Sequence, residues 1–227
     1  MKLIIRTFCF TLTLFLVSCA YSPMMSDIPL INHKNDLRID AGADLAIGRR
    51  QPTVHSTVSY GLTNKVAVQV FGSKNLESYS RLKYLQAALG YYKLLNTNTV
   101  LENYAGYGSG QGDFYMDEST PQGSGNYQIL FLQSNIGHIS TLNPGSAYGF
   151  SMKVGYLISG MDGIYQGYTQ IPIGDHLLLE PHFMTRFGKK RLKFKIDLGF
   201  CWLQHLQYEQ NIGFQPINLG FGLNYSF

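Results

Sequence analysis

The chain has 227 residues, of which 14% are charged, against a usual share of about 25%, while 14% are aromatic and 24 are glycine. Its 18 basic and 14 acidic residues give a formal charge of +4, and their dispersal along the chain argues against nucleic-acid binding by electrostatics. A mean hydropathy of −0.05 excludes a long hydrophobic helix but suits strands in which only alternate residues face lipid.

At the N-terminus, Lys2 and Arg6 precede an apolar stretch from Phe8 to Val17. An export signal needs about 7–15 such residues, a membrane-spanning helix about 20. Leu16-Val17-Ser18-Cys19 closes the stretch and resembles the lipobox of bacterial lipoproteins. The resemblance implies that residues 1–18 are a lipoprotein signal peptide. Cys19 would then carry diacylglycerol on its sulfur and an acyl chain on its new amine, with no other cofactor expected. An ordinary signal peptide with an incidental cysteine is the other reading. Each buried CH₂ contributes about 0.8 kcal/mol, so three chains would anchor the protein firmly. Cys9 would leave with the signal and Cys19 would be lipidated. Cys201 then stands alone, so no intramolecular disulfide forms, and its apolar strand setting points to packing.

Residues 19–36 read as a lipidated tether, since Pro23, Pro29, Asn32 and Asn35 interrupt any periodicity. From residue 37 to 227 the chain alternates with period two. Leu37–Ile47 sets Leu37, Ile39, Ala41, Ala43 and Leu45 against Arg38, Asp40 and Asp44. Val54–Leu62 sets Val54, Val58 and Tyr60 against His55, Thr57 and Ser59. Val66, Val68 and Val70 follow a turn at 63–65. Leu82–Tyr92 places Leu85, Ala87, Leu89 and Tyr91 on one face, and Val100–Gly108 runs back after a turn at 94–98. Tyr127–His138 is apolar on both faces at its centre and cannot be phased. Tyr148–Ile158 and Leu177–Phe187 alternate again, as do the segments after the turn at 188–190 and from Ile217 to Phe227.

The pattern counts to about ten strands (8–10). Short connections (63–65, 94–98, 141–146, 188–190) alternate with longer ones (73–80, 109–125, 159–175, 204–213), although the first, 48–52, is short where a long one belongs. This is the expectation for an all-β, antiparallel up-and-down transmembrane barrel with short periplasmic turns. Few-residue turns and half-polar strands also fit a lipid-tethered soluble β-sandwich.

Further segments carry a wider likeness: Tyr21-Ser22-Pro23, Ile28-Pro29-Leu30, Gln133-Ser134-Asn135-Ile136-Gly137, Glu180-Pro181-His182-Phe183 and Asn224-Tyr225-Ser226-Phe227. With the lipobox, they resemble the uncharacterised outer-membrane β-barrel lipoproteins of Bacteroidota-type bacteria. That resemblance implies an outer-membrane location and a C-terminal Phe227 read by the barrel-assembly machinery. The implied partners are outer-membrane lipid and the assembly and lipoprotein-sorting machineries. It implies no activity. Ala20 to Met24 lacks the acidic run of surface-exported lipoproteins, so the lipid and N-terminus are expected on the periplasmic side.

For chemistry, the polar faces of the later strands gather Lys153, Glu180, His182, Arg186, Lys193, Lys195 and Asp197. One reading is an ion-paired interior plug, the other a binding site or narrow pore lining. His55 and Ser56 are adjacent in a strand, point to opposite faces and cannot pair. His138 has no identifiable acid partner, so a rim lipid hydrolase is the weakest reading. His33, His176 and His205 lack metal-ligand spacing, and no metal is expected. Gly106 to Gly112 lacks the Lys-Ser/Thr of a phosphate loop and reads as a flexible outer loop. Tyr79, Tyr84, Tyr104, Tyr148, Trp202 and Tyr225 read as an interfacial aromatic belt. The leading expectation is a structural or interaction barrel without catalysis, with loops 109–125 and 159–175 outward. A small passive channel or ligand-binding barrel is the alternative. Oligomeric state has no signal in the sequence.

Overall fold

The computed structural model describes residues 27–46, 52–76, 80–115, 121–140, 145–160, 162–163, 174–189, 191–206 and 217–227. The signal peptide, Cys19, Tyr79 and the stretches 164–173 and 207–216 lie outside them. The strands are β1 (Leu37–Ala46), β2 (Pro52–Gly61), β3 (Val66–Asn75), β4 (Ser80–Leu94), β5 (Thr99–Tyr115), β6 (Pro121–Ile139) and β7 (Ala147–Ser159). They continue with the two-residue β8 (Asp162–Gly163), then β9 (Gly174–Gly188), β10 (Leu192–Gly199), β11 (Trp202–His205) and β12 (Asn218–Ser226).

Each long strand pairs antiparallel with its neighbours in sequence, and β12 pairs with both β1 and β10, which closes the sheet. β10 and β11 both pair with β9 and form one stave. The ladder is interrupted where Phe200 donates to the Pro181 carbonyl at 2.9 Å, because proline has no N–H to return the bond. β8 only extends the edge of β6. The result is an all-β closed barrel of ten antiparallel staves, at the upper end of the range expected from the sequence.

Burial alternates strictly along the staves, as in the run from Thr53 to Ser59. The side that is apolar in the sequence faces outward: Val54, Val58, Val70, Leu85, Leu89, Leu130, Leu132, Phe194, Phe221 and Leu223 are all exposed. On β4, Lys83 and Lys93 bracket Leu85, Ala87, Leu89 and Tyr91. That interval is about ten residues, within the 9–11 that a tilted strand needs to cross the hydrocarbon. Among the described outward residues no Lys, Arg, Asp or Glu interrupts this band, where a midplane Arg or Lys would cost about 2–4 kcal/mol. The protein is a transmembrane barrel of the outer-membrane type.

Three expectations are corrected. The glycine-rich run Gly106 to Gly112 is not a loop but lies inside β5. A Cβ built on Gly90 would fall on the ring of Tyr104, one on Gly108 on Tyr84, and one on Gly110 on Tyr127. These glycines make room for inward rings and keep the strand period, with Tyr107, Ser109 and Gln111 facing out. The connection read as 109–125 therefore shrinks, since β5 runs to Tyr115 and β6 begins at Pro121. Tyr84 and Tyr104 belong to no belt, being 4% and 2% exposed in the lumen, whereas Tyr148, Trp202 and Tyr91 do face outward.

Candidate functional site

The lumen is filled in two layers. In the half nearer the long connections, Phe71, Tyr84, Tyr127, Ile129, Phe131, Leu157, Leu178 and Leu203 form one buried cluster. Tyr84 and Tyr127 stack at 5.8 Å with their planes 7° apart. This layer explains why Tyr127–His138 defied phasing: Ile129 and Phe131 point into an apolar part of the lumen, Leu130 and Leu132 into lipid.

The half nearer the short turns is ionic, and the chain's own N-terminal segment occupies it. The tether reading extends to residue 36, but Asp27, Ile28, Leu30 and Ile31 are each fully buried inside the barrel. A chain crossing a lumen must find partners for its backbone groups. The Asp27 carbonyl accepts from Gln69 Nε2 (3.1 Å) and Gln133 Nε2 (3.3 Å). The Ile28 carbonyl accepts from Arg186 Nη2 at 2.8 Å. The Pro29 carbonyl accepts from Arg38 Nη1 (2.6 Å) and Arg186 Nη1 (3.1 Å), and proline has no N–H to satisfy. Ile31 N–H donates to Glu102 Oε1 at 2.7 Å. Between these fixed points Leu30 holds a left-handed φ of 58°, a conformation that costs a non-glycine residue about 1–2 kcal/mol. Ile28 and Leu30 pack on Val100, Ala147 and Met184.

The Asp27 side chain is the centre of the charge network. Arg186 Nη2 lies 3.0 Å and Lys195 Nζ 3.1 Å from its Oδ1. Arg186 also reaches Asp40 Oδ1 at 3.2 Å, and Asn224 Nδ2 donates to Asp40 Oδ2 at 2.9 Å. Lys195 continues to Asp197 Oδ2 at 3.1 Å, whose Oδ1 meets His182 Nε2 at 3.0 Å. The Asp27 carboxylate thus joins the inserted segment to β9 and β10, and Arg186 carries the link through Asp40 to β1 and β12, across the seam where the barrel closes.

Of the seven interior residues read from the sequence, Arg186, Lys195, Asp197 and His182 join this network. Lys153 and Glu180 form a second group, 3.4 Å apart, where Lys153 also donates to Gln86 (3.0 Å) and sits 4.6 Å from the Phe131 ring centre. Lys193 is buried but stands apart, with Nζ 3.4 Å from Ser226 Oγ near the short-turn mouth. His55 meets Asp44 at 2.9 Å inside the barrel while Ser56 faces out. His138 stacks on Tyr148 at 5.3 Å, and His176 lies edge-on to His205 at 4.7 Å. Cys201 is buried in the apolar layer. Phe227 is exposed on the lipid side, where its N–H donates to the Leu37 carbonyl at 3.1 Å. Among the described residues no group of three His, Cys, Asp or Glu is placed to hold a metal ion.

Asp27, Asp40, Glu102, Asn135 and Asn224 were not singled out from the sequence. One signal for the missing acids was available. The interior set contained four Lys and Arg against two carboxylates, and a buried surplus of cations demands acids from elsewhere.

No family model and no curated protein matches the chain. Several solved barrels are similar to it in shape. The outer membrane protease OmpT from Escherichia coli matches at 11% identity and TM-score 0.49, over 86% of this chain and 94% of that one. The NanC porin matches at 8% identity and TM-score 0.45, over 84% and 100%. The outer membrane protein OprG from Pseudomonas aeruginosa matches at 12% identity and TM-score 0.42, over 88% and 99%.

Proposed function

We propose that the protein is a lipid-anchored outer-membrane barrel with a sealed lumen, acting through the surfaces it presents outside the bilayer and not as a diffusion pore or an enzyme. The observation that carries this reading is the Asp27–Ile31 segment, bound along its backbone and clamped by Arg186 and Lys195 inside the barrel. The aromatic layer fills the other half. β6 is 19 residues long, about twice what the hydrocarbon requires. Beyond Tyr107 and Leu130 the exposed residues of the β5–β6 hairpin turn polar, with Ser109, Gln111, Asn126 and Gln128. That hairpin is the surface offered to a partner.

In this reading Cys19 carries the lipid in the periplasmic leaflet, as in the Bacteroidota-type lipoproteins that the lipobox resembles. Phe227 is the mark read by the assembly machinery, and lipoprotein sorting delivers the chain. Mass spectrometry of the mature protein would show the acyl chains, and Cys19→Ala would remove them.

The deciding experiment is conductance of the intact protein in a planar bilayer. An electrically silent protein is expected. A steady open conductance altered by Lys195→Glu would overturn the sealed reading in favour of a small channel. Lipid A unchanged between cells overproducing the protein and cells lacking it is the outcome expected if the rim is not a hydrolase.

A further inference from the structure

The two rims of the barrel differ in charge. At the short-turn end the exposed charged residues are Lys34, Lys65, Lys93, Lys189 and Arg191. Every described carboxylate near that end, namely Asp27, Asp36, Asp40 and Glu102, is buried and bound to the lumen network. Asp113 and Asp175, the half-buried acids, belong to the opposite end, where Asp113 faces Arg81 across the β4–β5 pair. None of the five rim cations makes an ion pair among the described residues.

Their neighbours place four of them at the depth of lipid headgroups. Lys65 sits between exposed Leu62 and half-buried Val66, and Lys93 between exposed Tyr91 and Leu94. Lys189 and Arg191 lie between exposed Phe187 and Leu192. Lys65, Lys189 and Arg191 therefore stand one or two residues beyond a lipid-facing side chain, and Lys93 stands two beyond Tyr91 with exposed Leu94 and Leu95 after it. From there a long basic side chain lays its stem on hydrocarbon and its charge among phosphates.

From this we infer that the short-turn rim is a binding ring for anionic phospholipid headgroups of the adjoining leaflet. Lys65, Lys93, Lys189 and Arg191 grip phosphate from several sides of the barrel, and Lys34 extends the ring at the mouth. The described acids of this end are bound inside the lumen, which leaves these five cations without an ion pair among the described residues. Each cation near an anionic surface favours association by about fivefold, and the attraction falls as salt screens it. The inference rests on bilayer insertion and not on whether the lumen conducts.

The test uses the intact protein in bilayers mixing phosphatidylcholine and phosphatidylglycerol, with spin-labelled forms of each lipid as probes. The labelled phosphatidylglycerol should associate about two- to fivefold more strongly at low salt. Replacing Lys65, Lys93, Lys189 and Arg191 with Gln should bring the ratio close to one, while Lys74→Gln with Lys83→Gln should leave it high. Lys65→Gln alone should lower it in part, and serves if the fourfold variant does not fold. A faster-running unboiled gel band, required of every sample, reports barrel closure and insertion separately. Equal association of the two labels in the parent protein would overturn the inference. So would a preference lost only in the Lys74 and Lys83 variant. Loss of binding to isolated cell-wall polymer in the fourfold variant, with the lipid ratio unchanged, would also overturn it and assign the rim to that polymer.

Discussion

The two halves of the lumen solve the same packing problem with opposite chemistry. Near the long connections, rings fill the space and glycines on the facing strand make room for them, as Gly110 does for Tyr127. Near the short turns, charge fills the space, and the wall shares its ion pairs with the inserted segment. Arg186 and Lys195 both pair with the carboxylate of Asp27, which arrives on a segment that belongs to no stave. An apolar lumen layer is complete once its strands pair. An ionic layer is complete only when every charge has a partner, because a buried ion pair stabilises little while a buried orphan charge costs a great deal. The first half should therefore respond to volume and the second to charge.

The sharpest way to break this contrast is Asp27→Ala. It leaves Arg186 with Asp40 and Lys195 with Asp197 but removes the acid that both share. Breaking a buried pair by deleting one partner costs about 3–5 kcal/mol. A urea titration followed by the heat-modifiable gel shift should show a loss of that size. The double variant Asp27→Ala with Arg186→Met should be less unstable than the sum of the two singles, since both singles lose the same Arg186–Asp27 pair. A double variant as unstable as the sum of the two singles would mean that packing, not charge, governs this half.

The volume side is tested by Gly110→Ala. The added methyl falls on the Tyr127 ring, which is already stacked against Tyr84. Overpacking should cost about 1–3 kcal/mol, and Tyr127→Leu in the same chain should relieve much of it. An additive result would show that the two positions do not share space.

Next in size comes Glu102→Gln. The substitution keeps an acceptor oxygen for Ile31 N–H but exchanges a charged bond for a neutral one. It also turns a new donor toward Asn135, which now donates to Glu102 at 3.0 Å. A loss of about 1–2 kcal/mol is expected, and the inserted segment should become more accessible to protease before the barrel opens.

The contrast also explains what the sequence revealed. The staves were legible because lipid demands an unbroken apolar phase, and Leu85, Ala87, Leu89 and Tyr91 supply one between two lysines. Most of the interior charge was legible too, since Lys153, Arg186 and Lys195 fall on the opposite phase. Tyr127–His138 was not, because period-two reasoning assumes a polar inside and Phe131 faces an apolar one. The run from Gly106 to Gly112 was misread because glycine signals a turn as readily as a space for a ring. Asp27 gave no periodic signal at all. Its place is set by partners about 160 residues away, as in its bond to Arg186, and only the surplus of interior cations pointed to it.

The smallest expected effect belongs to Lys193. Its sequence phase puts it with Arg186 and Lys195, and its burial agrees. Its surroundings are mixed: Nζ bonds Ser226 Oγ at 3.4 Å, and its charge feels repulsion from Arg38 and Arg186 and attraction from Asp36 and Asp40. Lys195 is held by two carboxylates, whereas no ion pair among the described residues involves Lys193. Removing the charge by Lys193→Gln therefore deletes repulsion from two arginines, attraction from two acids and a long hydroxyl bond. Stability should change by less than about 0.5 kcal/mol, in either direction. Lys195→Gln, two residues along the same strand, should cost several times as much. If the two substitutions proved equal, the network around Asp27 would reach further toward the mouth than its bonds indicate. The ionic half would then extend to the rim as a single cooperative unit.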